Sequence, residues 1–412
     1  MRIAFVIQRY GMEINGGAEL HCRYVAEHMT RYAEVEVLTT CAKDYITWKN
    51  EYRAGKERIN AVSVHRFPVQ KERDPNRFGL LQQQLFQFAH ERKDELEWLD
   101  EEGPNSHELI EFIKANEALY DFFIFFSYRY YHTFHGIRAV PHKSILVPTA
   151  EPDPVIHFPI FTELFHLPQG IVYNSVEERR MIHSVSSNYE VAGDVVGVGS
   201  ELPQRVDVDA FRRKYKMDSP FILYIGRIDE NKGCGQLFDF FKRYQSETNS
   251  PLRLVLIGSA VMKIPQDPRI ISLGFANDDD KFNALAASQL LVMPSFYESL
   301  SMVLLEAWGM GKPTLANGNC RVLLGQTVRS NAGLFYTDYE EFKRCLLFLE
   351  KRPHLRESLG DNGRRFYNEN YSWEIIEQKY LNLMNKIKDQ KSNIKDTVQN
   401  IQNPAQYGSQ TF

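Results

Sequence analysis

The chain has 412 residues, which is long enough for two or three domains that each bury a core. Hydrophobic residues make up 43% of it and charged residues 25%, a composition typical of folded proteins and not of disordered ones. The 49 basic and 53 acidic residues leave a net charge of −4, so no overall positive field attracts nucleic acid, and no nucleic-acid partner is expected.

The five cysteines are far apart and show no C-x2-C spacing, which predicts a reducing compartment and no metal site. The opening run RIAFVIQRY is too short for a secretory signal. The most apolar run, at 122–126, is far shorter than the roughly 18 residues of a membrane span. We therefore expect a cytoplasmic protein whose membrane contact, if it has any, is peripheral and at the inner face of the cytoplasmic membrane.

Short apolar runs alternate with helical patterns through the first half of the chain. A helix is predicted over 17–30, and strands are predicted over 2–8, 35–40, 62–68, 121–127, 144–147, 170–173 and 195–198. Buried strands separated by helices are typical of a parallel sheet covered on both faces. The pattern predicts a doubly wound, Rossmann-like α/β domain over residues 1–198.

Between 75 and 120 the pattern is helical, with a break at 103–105. Asn105 followed three residues later by Glu108 predicts a capping box at the start of the next helix. Basic and aromatic residues over 66–78 suit contact with a membrane surface. The acidic residues between them favour a solvated face instead.

A second series of strands follows the segment GSELP at 199–203, which reads as a linker. Its predicted strands lie at 221–225, 252–257, 270–273, 290–293 and 314–316, each followed by a helical stretch. They predict a second Rossmann-like domain over 199–372. A last helix is predicted from 373 to about 386–388, and residues 390–412, rich in Gln, Asn, Ser and Lys, are predicted to be a loose tail.

Two turns after predicted strands suit an anionic ligand. INGGAE places Gly16 and Gly17 at a helix start, where the backbone can approach a phosphate or sugar, although an ordinary tight turn fits equally well. It is not G-x-G-x-x-G, so a nicotinamide cofactor is disfavoured. In YIGRIDENKG, Arg227 and Lys232 stand at a strand-to-helix turn and suit a diphosphate, the arginine as a fork of donors and the lysine as a point charge.

The stretch PSFYESLSMVLLEAWGMGKP holds two glutamates, Glu298 in a loop and Glu306 inside an apolar helix that Ser301 is predicted to cap. A carboxylate among apolar residues needs a polar partner, because burying an unpaired charge is costly. The amides of Ser299, Leu300 and Ser301 at the helix start suit an anionic or polyhydroxylated ligand. The alternative for a single glutamate is an exposed position on an amphipathic helix.

This E-x7-E pattern, preceded by PS-x-Y and followed by G-x-P, resembles the donor-site signature of retaining glycosyltransferases of family 4. The resemblance implies the GT-B fold, in which two doubly wound Rossmann-like domains face each other across a cleft. It also implies that Arg227 and Lys232 neutralise the diphosphate that leaves from a nucleotide diphosphate sugar. No metal and no further cofactor are expected, and the acidic run at 278–280 stands at a predicted helix start, where its charges favour the helix dipole.

The same resemblance assigns the remaining donor contacts. Glu306 would hold the ribose hydroxyls of a UDP- or GDP-sugar, and Glu298 with the amides after it would hold the sugar and phosphates. The turn LGFAND would meet the base, with Phe275 beside it, although an aromatic residue after a strand is as often part of the core.

One segment departs from the family pattern. VPTAEPDP at 147–154 resembles a loop of bacterial polysaccharide enzymes that is expected to read T-A-H-D-E-P, and Glu151 stands in place of the histidine. Either Glu151 and Asp153 contact the transferred sugar instead, or catalysis is impaired. Three histidines lie nearby in sequence and could replace the missing one: His132, His135 and His157. Each is more often a structural histidine than a ligand-binding one.

The predicted function is transfer of a hexosyl group, with retention, to a hydroxyl of a growing glycan. Residues 317–336 also resemble a segment of bacterial polysaccharide and O-antigen enzymes. This resemblance implies a lipid-linked oligosaccharide acceptor and peripheral membrane contact. Two alternatives stay open. A nucleotide-sugar epimerase of the same fold would need acid and base groups around the nucleotide, and a non-catalytic nucleotide-sugar-binding partner subunit would explain Glu151.

Overall fold

The computed structural model describes residues 1–402, with side chains described through residue 390. Its first sheet has eight strands in the order β3-β4-β2-β1-β5-β6-β7-β8. The bounds are β1 Arg2–Val6, β2 Glu34–Thr40, β3 Gly55–Ile59, β4 Val62–Phe67, β5 Phe122–Phe126, β6 Ser144–Val147, β7 Gly170–Tyr173 and β8 Ala192–Val195. Among these described strands only β3, paired with β4, runs antiparallel.

The second sheet has six parallel strands in the order β11-β10-β9-β12-β13-β14. The bounds are β9 Phe221–Ile225, β10 Arg253–Ile257, β11 Ile270–Ser272, β12 Leu291–Met293, β13 Thr314–Asn317 and β14 Gly333–Tyr336. Every residue of β5 and of β9 is buried, as expected for central strands covered on both faces. The predicted architecture of two doubly wound α/β domains is confirmed.

Helices cover both sheets. In the first half they are α1 Gly17–Met29, α2 Pro75–Gln87, α3 Arg92–Glu102, α4 His107–Ala115, α5 Tyr131–Ala139, α6 Pro159–Leu164 and α7 Val176–Ser186. In the second half they are α8 Val208–Tyr215, α9 Cys234–Thr248, α10 Asp278–Ala287, α11 Met302–Gly309, α12 Arg321–Ser330, α13 Tyr339–Glu350, α14 Pro353–Asn370 and α15 Trp373–Gln402. Within the described residues, no helix is both long and apolar enough to cross a membrane.

Some local predictions were wrong. The last strand of the first sheet is Ala192–Val195, not 195–198. Strand β3 was missed because GKERI is charged, and strand β14, GLFY, was also missed. Asn105 forms no capping box: α4 begins after Ser106, and the Asn105 amide donates to the carbonyl of Asp100 at 2.7 Å.

The last helix returns to the first domain. Glu377 on α15 accepts hydrogen bonds from Arg31 at 2.9 Å and from the Tyr32 hydroxyl at 2.7 Å. The helix runs to Gln402, beyond the predicted end, and the predicted loose tail over 390–412 stays a prediction. Residues 403–412, the rest of that predicted tail, lie outside the described residues. The predicted domain boundary between 198 and 199 stays a prediction.

Glycines end the two neighbouring strands β9 and β10. Gly258 has a φ of +139°, and a Cβ there would lie 1.9 Å from the carbonyl oxygen of Gly226. Since backbone atoms cannot move aside as a flexible side chain can, this position requires glycine. The close approach of the two turns shapes the edge of the sheet where both strands end.

We predict that Gly258→Ala destabilises the fold by more than about 2 kcal/mol, because it adds left-handed strain to a backbone clash. Thermal unfolding should show a midpoint at least about 3 °C lower. Gly79→Ala is the matched control, since a Cβ at Gly79 would meet no atom within 4 Å and alanine favours the helix there. Equal midpoints for the two variants would contradict this reading of the turn.

Candidate active site

A cleft of about 700 Å³ lies between the two domains. Residues that follow β1, β5 and β6 line it from one side, and residues that follow β9 and β12 line it from the other. In each sheet the strand order reverses between two neighbouring central strands, β1 and β5 in the first sheet and β9 and β12 in the second. Residues that follow these four strands line the cleft. Ligands of open α/β sheets bind at the carboxyl ends of strands beside such a reversal.

Lys232 and Glu298 form an ion pair in the cleft. The ammonium of Lys232, just before α9, lies 2.8 Å from Glu298 Oε1, and Glu298 itself is buried. The Lys232 backbone N–H donates to Asp229 at 2.7 Å, which fixes the turn. Burial lowers the pKa of Lys232, but the Glu298 carboxylate outweighs this and raises it, so the lysine stays charged.

Arg227 lines the same side of the cleft. Its Nε donates to the carboxylate of Asp229, and its Nη1 lies 3.4 Å from the Tyr45 hydroxyl of the opposite domain. Arg227 and Lys232 therefore bring two positive charges to one turn, as the spacing G-R-x4-K predicts. Nearly half of the arginine side chain is exposed, at 44%, which leaves donors available to a ligand.

Glu151 lines the cleft from the N-terminal domain and faces the Lys232–Glu298 pair. Burial and then the negative charge of Glu298 raise the pKa of Glu151, while Lys232 opposes the shift. Asp153 also lines the cleft, but its carboxylate accepts from Arg129 at 2.8 Å and from the Tyr128 hydroxyl at 3.1 Å. Glu151 is thus the carboxylate of this loop that faces the charged pair.

A second buried glutamate fixes the loop that carries Glu151. Glu178, on the first turn of α7, accepts the backbone N–H of Ala150 at 2.6 Å and that of Asn174 at 2.5 Å. It therefore joins the chain after β6 to the chain after β7. Burial raises the pKa of Glu178 to about 8, against the lowering effect of these two hydrogen bonds.

The loop before α11 brings further predicted residues to the cleft. Ser299, Leu300 and Ser301 all line it. As predicted, Ser301 caps α11, and its side chain accepts the N–H of Leu304 at 3.4 Å. The free amides of this helix start and its dipole favour a negatively charged ligand group.

Gly16 and Gly17 line the cleft at the start of α1. A Cβ at Gly17 would meet no atom within 4 Å, so this backbone borders open space. Beside them Arg9 donates to Glu19 Oε1, with its Nη2 at 2.6 Å and its Nε at 2.9 Å. The glycine turn is thus backed by a fixed ion pair.

Two predicted donor residues do not line the cleft. Glu306 is buried, and its Oε1 lies 2.9 Å from the Lys281 ammonium, while its Oε2 has no hydrogen-bond partner among the described residues. Burial raises the pKa of Glu306, and Lys281 opposes this. Phe275 is 71% exposed in the turn before α10. The roles predicted for both residues remain predictions.

The comparisons with known proteins agree with this geometry. Residues 207–366 match the family model for glycosyl transferases group 1. The second domain therefore resembles that of the group 1 glycosyl transferases. The matched residues contain the strands β9 to β14 of the second sheet, together with Arg227, Lys232 and Glu298, whereas the match leaves the N-terminal domain uncovered.

Relatives extend the likeness beyond residues 207–366. An uncharacterized glycosyltransferase of Methanocaldococcus jannaschii is 24% identical over 93% of this chain and 97% of its own length. The capsular polysaccharide biosynthesis glycosyltransferase CapM of Staphylococcus aureus is 25% identical over 43% of this chain and 50% of its own. A structure of Anabaena HepE aligns with a TM-score of 0.69, 15% identity and coverage of 94% and 100%. The fold is that of the GT-B glycosyltransferases, as predicted.

Sequence reasoning missed several residues of the cleft. They are His21, Tyr45, Arg129, Tyr130 and Asn174, with Arg9 and Glu19 beside the glycines. Arg9 and Arg129 follow strands β1 and β5 closely, and that position was a usable signal. Tyr45 and His21 gave none, because one lies in an irregular loop and the other inside a helix.

The three histidines considered as substitutes lie elsewhere, since none of them lines the cleft. His132 is buried, and burial lowers its pKa to about 3. His21 does line the cleft, and burial lowers its pKa to about 3 as well. It is therefore neutral at physiological pH and carries no charge toward a ligand.

We predict that the contribution of Glu178 to the free energy of unfolding decreases as pH rises. Its folded-state pKa of about 8 lies above that of the unfolded chain, so its contribution is greatest at low pH and is lost as pH rises through about 8. Glu178→Gln cannot titrate. The unfolding midpoint of the wild type, relative to this variant, should fall between about pH 5 and about pH 8, and a constant difference would contradict the assignment.

Proposed function

We propose that this transferase is a retaining enzyme that moves a hexosyl group from a nucleotide diphosphate sugar to a hydroxyl of a growing, lipid-linked bacterial surface polysaccharide. The observation that carries the proposal is the Lys232–Glu298 pair at 2.8 Å, which Glu151 faces from the other domain. Positive charge, a helix start and two carboxylates thus converge on one cleft. A charged leaving group and a polyhydroxylated sugar suit these groups.

The diphosphate is the group that gains negative charge as the donor bond breaks. Arg227, Lys232 and the amides at Ser299–Ser301 are placed to stabilise that charge, and fixed donors of this kind supply most of the transition-state stabilisation in many enzymes. We propose that donors from Arg227, Lys232 and the helix start stabilise the leaving diphosphate and that the reaction needs no metal ion. In the described residues, no three His, Cys, Asp or Glu side chains are grouped to hold one.

Glu298 and Glu151 are proposed to hold the transferred sugar from opposite sides. Glu298 also keeps Lys232 in place through their ion pair. Glu151 takes the position of the histidine that similar enzymes carry, and its raised pKa suits a hydrogen bond to a sugar hydroxyl. The acceptor hydroxyl passes its proton to a phosphate oxygen of the donor on the same face, which gives retention without a protein base.

The donor and acceptor classes are supported by similarity. The HepE structure is described as a complex with UDP, which favours UDP, and GDP is the other predicted carrier. CapM is named for capsular polysaccharide biosynthesis, which supports a glycan acceptor. We propose that the enzyme meets its lipid-linked acceptor by peripheral contact at the inner face of the cytoplasmic membrane.

Binding at the donor site should stabilise the fold. Thermal unfolding with UDP, GDP, ADP, dTDP or CMP, each with and without magnesium, should show stabilisation by one diphosphate that is independent of magnesium. A ligand at 100 times its dissociation constant adds about 2.7 kcal/mol, which raises the midpoint by several degrees. Lack of a shift with every nucleotide would contradict the proposed donor site, and a shift that needs magnesium would contradict metal independence.

Loss of the Glu298 charge should impair transfer. Glu298→Gln keeps the shape but removes the charge that holds Lys232, so turnover should fall at least about hundredfold. Turnover is measured as release of the nucleoside diphosphate from sugar donors that carry the nucleotide identified by the unfolding assay. Glu357→Gln on α14 is the control, because Glu357 is an exposed glutamate outside the cleft. Full turnover by Glu298→Gln would show that the assignment is wrong.

A further inference from the structure

One part of the cleft is not used by the donor site: the loop after β2, residues 43–49, here called the Tyr45 loop. Tyr45 lines the cleft and is 48% exposed, and its neighbour Ile46 is 49% exposed. An exposed aromatic side chain in a cleft carries a cost in water unless a ligand covers it. A loop that holds Tyr45 rigidly can offer its ring to a ligand as a fixed surface.

Hydrogen bonds within the loop fix its tip. The Asp44 carboxylate accepts the backbone N–H of Ile46 at 2.6 Å and that of Thr47 at 2.9 Å. From outside the loop, Nη1 of Arg73 donates to the carbonyl of Tyr45 at 3.1 Å. The backbone on both sides of the Tyr45 ring is thus held.

Trp48 anchors the loop in the protein interior. It is buried with a φ of +60°, a conformation that is strained for a large aromatic residue and persists only where the surroundings enforce it. Its Nε1 donates to the carbonyl of Glu102 at 2.6 Å, and its ring meets that of Tyr130 edge to face. The loop therefore presents Tyr45 in a preformed position.

The Tyr45 ring has one covered face. The Arg9 guanidinium lies over the ring at 5.4 Å from its centre, and Arg9 is itself fixed by Glu19 and by the carbonyl of Lys43 at 2.9 Å. A cation on one face still leaves nearly half of the side chain exposed. The ring thus lies between the Arg9 guanidinium and, at its hydroxyl, Nη1 of Arg227.

The ring also lies beside the proposed chemistry. The Tyr45 hydroxyl is 3.4 Å from Nη1 of Arg227, across the two domains. A ligand on the ring is thus close to the diphosphate that Arg227 is proposed to bind. It lies on the opposite domain from Lys232 and Glu298, which hold the donor in the proposed function.

We propose that Tyr45 is the platform on which a pyranose ring of the acceptor glycan stacks, which makes it a residue that determines acceptor specificity. The inference rests on the proposed function. The axial C–H groups of a pyranose form an apolar, slightly positive face that matches the negative face of an aromatic ring. Stacking positions the sugar while its hydroxyls stay directed to water and to the donor.

The test uses saturation-transfer NMR on the full chain with defined probes. They are the methyl pyranosides of glucose, galactose, mannose and N-acetylglucosamine, with ribitol as an open-chain polyol that lacks the apolar ring face. Each is measured with and without uridine diphosphate. At least one pyranoside should receive saturation at its ring C–H protons, and ribitol should receive none.

Variants separate the ring from its hydroxyl. In Tyr45→Ala the dissociation constant of the bound pyranoside should rise about tenfold, equivalent to about 1.4 kcal/mol, whereas Tyr45→Phe should retain the stacking signal. Tyr189→Ala is the control, since Tyr189 is 70% exposed outside the cleft. A signal that is unchanged in Tyr45→Ala, or no pyranoside signal in the wild type, overturns the platform.

Failure of the platform and failure of the proposed function give different results. A wild type that is stabilised by a nucleotide diphosphate but shows Tyr45-independent glycoside binding contradicts only the platform. A wild type that no diphosphate stabilises contradicts the proposed function, whatever the glycoside signals show.

Discussion

The site depends on one interaction, the half-buried ion pair between Lys232 and Glu298. Removing either partner would leave an unpaired charge in a partly desolvated cleft, which is costly, and the Glu298 carboxylate raises the pKa of Lys232. The pair also sets the electrostatics around it, because the Glu298 charge acts on Glu151 across the cleft. Charge on one domain is thereby coupled to the protonation of a residue on the other.

Parallel sheet topology explains why these residues meet. Each functional side chain follows a strand, and parallel strands end at the same edge, so turns far apart in sequence share one cleft. Helix starts and glycine turns at that edge supply backbone N–H groups.

The last helix, α15, returns to the first domain and binds it through Glu377. The two halves of the cleft are thus parts of one connected structure.

Buried polar contacts between distant segments hold the N-terminal side of the cleft in place, and no local sequence motif marks them. Glu178 joins two strand ends beneath Glu151, and Trp48 anchors the loop that presents Tyr45. These contacts leave Glu151 and Tyr45 in defined positions before a ligand binds. A preorganised site loses less side-chain entropy on binding, which favours both affinity and selectivity.

The sequence by itself determined the architecture and the C-terminal half of the site. Strand periodicity predicted most strands, and Arg227, Lys232 and Glu298 were found because they lie in local motifs beside a strand or a helix start. Only the tertiary structure decided the rest. Glu306 meets Lys281 instead of the cleft, the three candidate histidines lie away from it, and Tyr45 and His21 enter it. These outcomes depend on side-chain direction and on contacts between distant segments, which spacing along the chain does not encode.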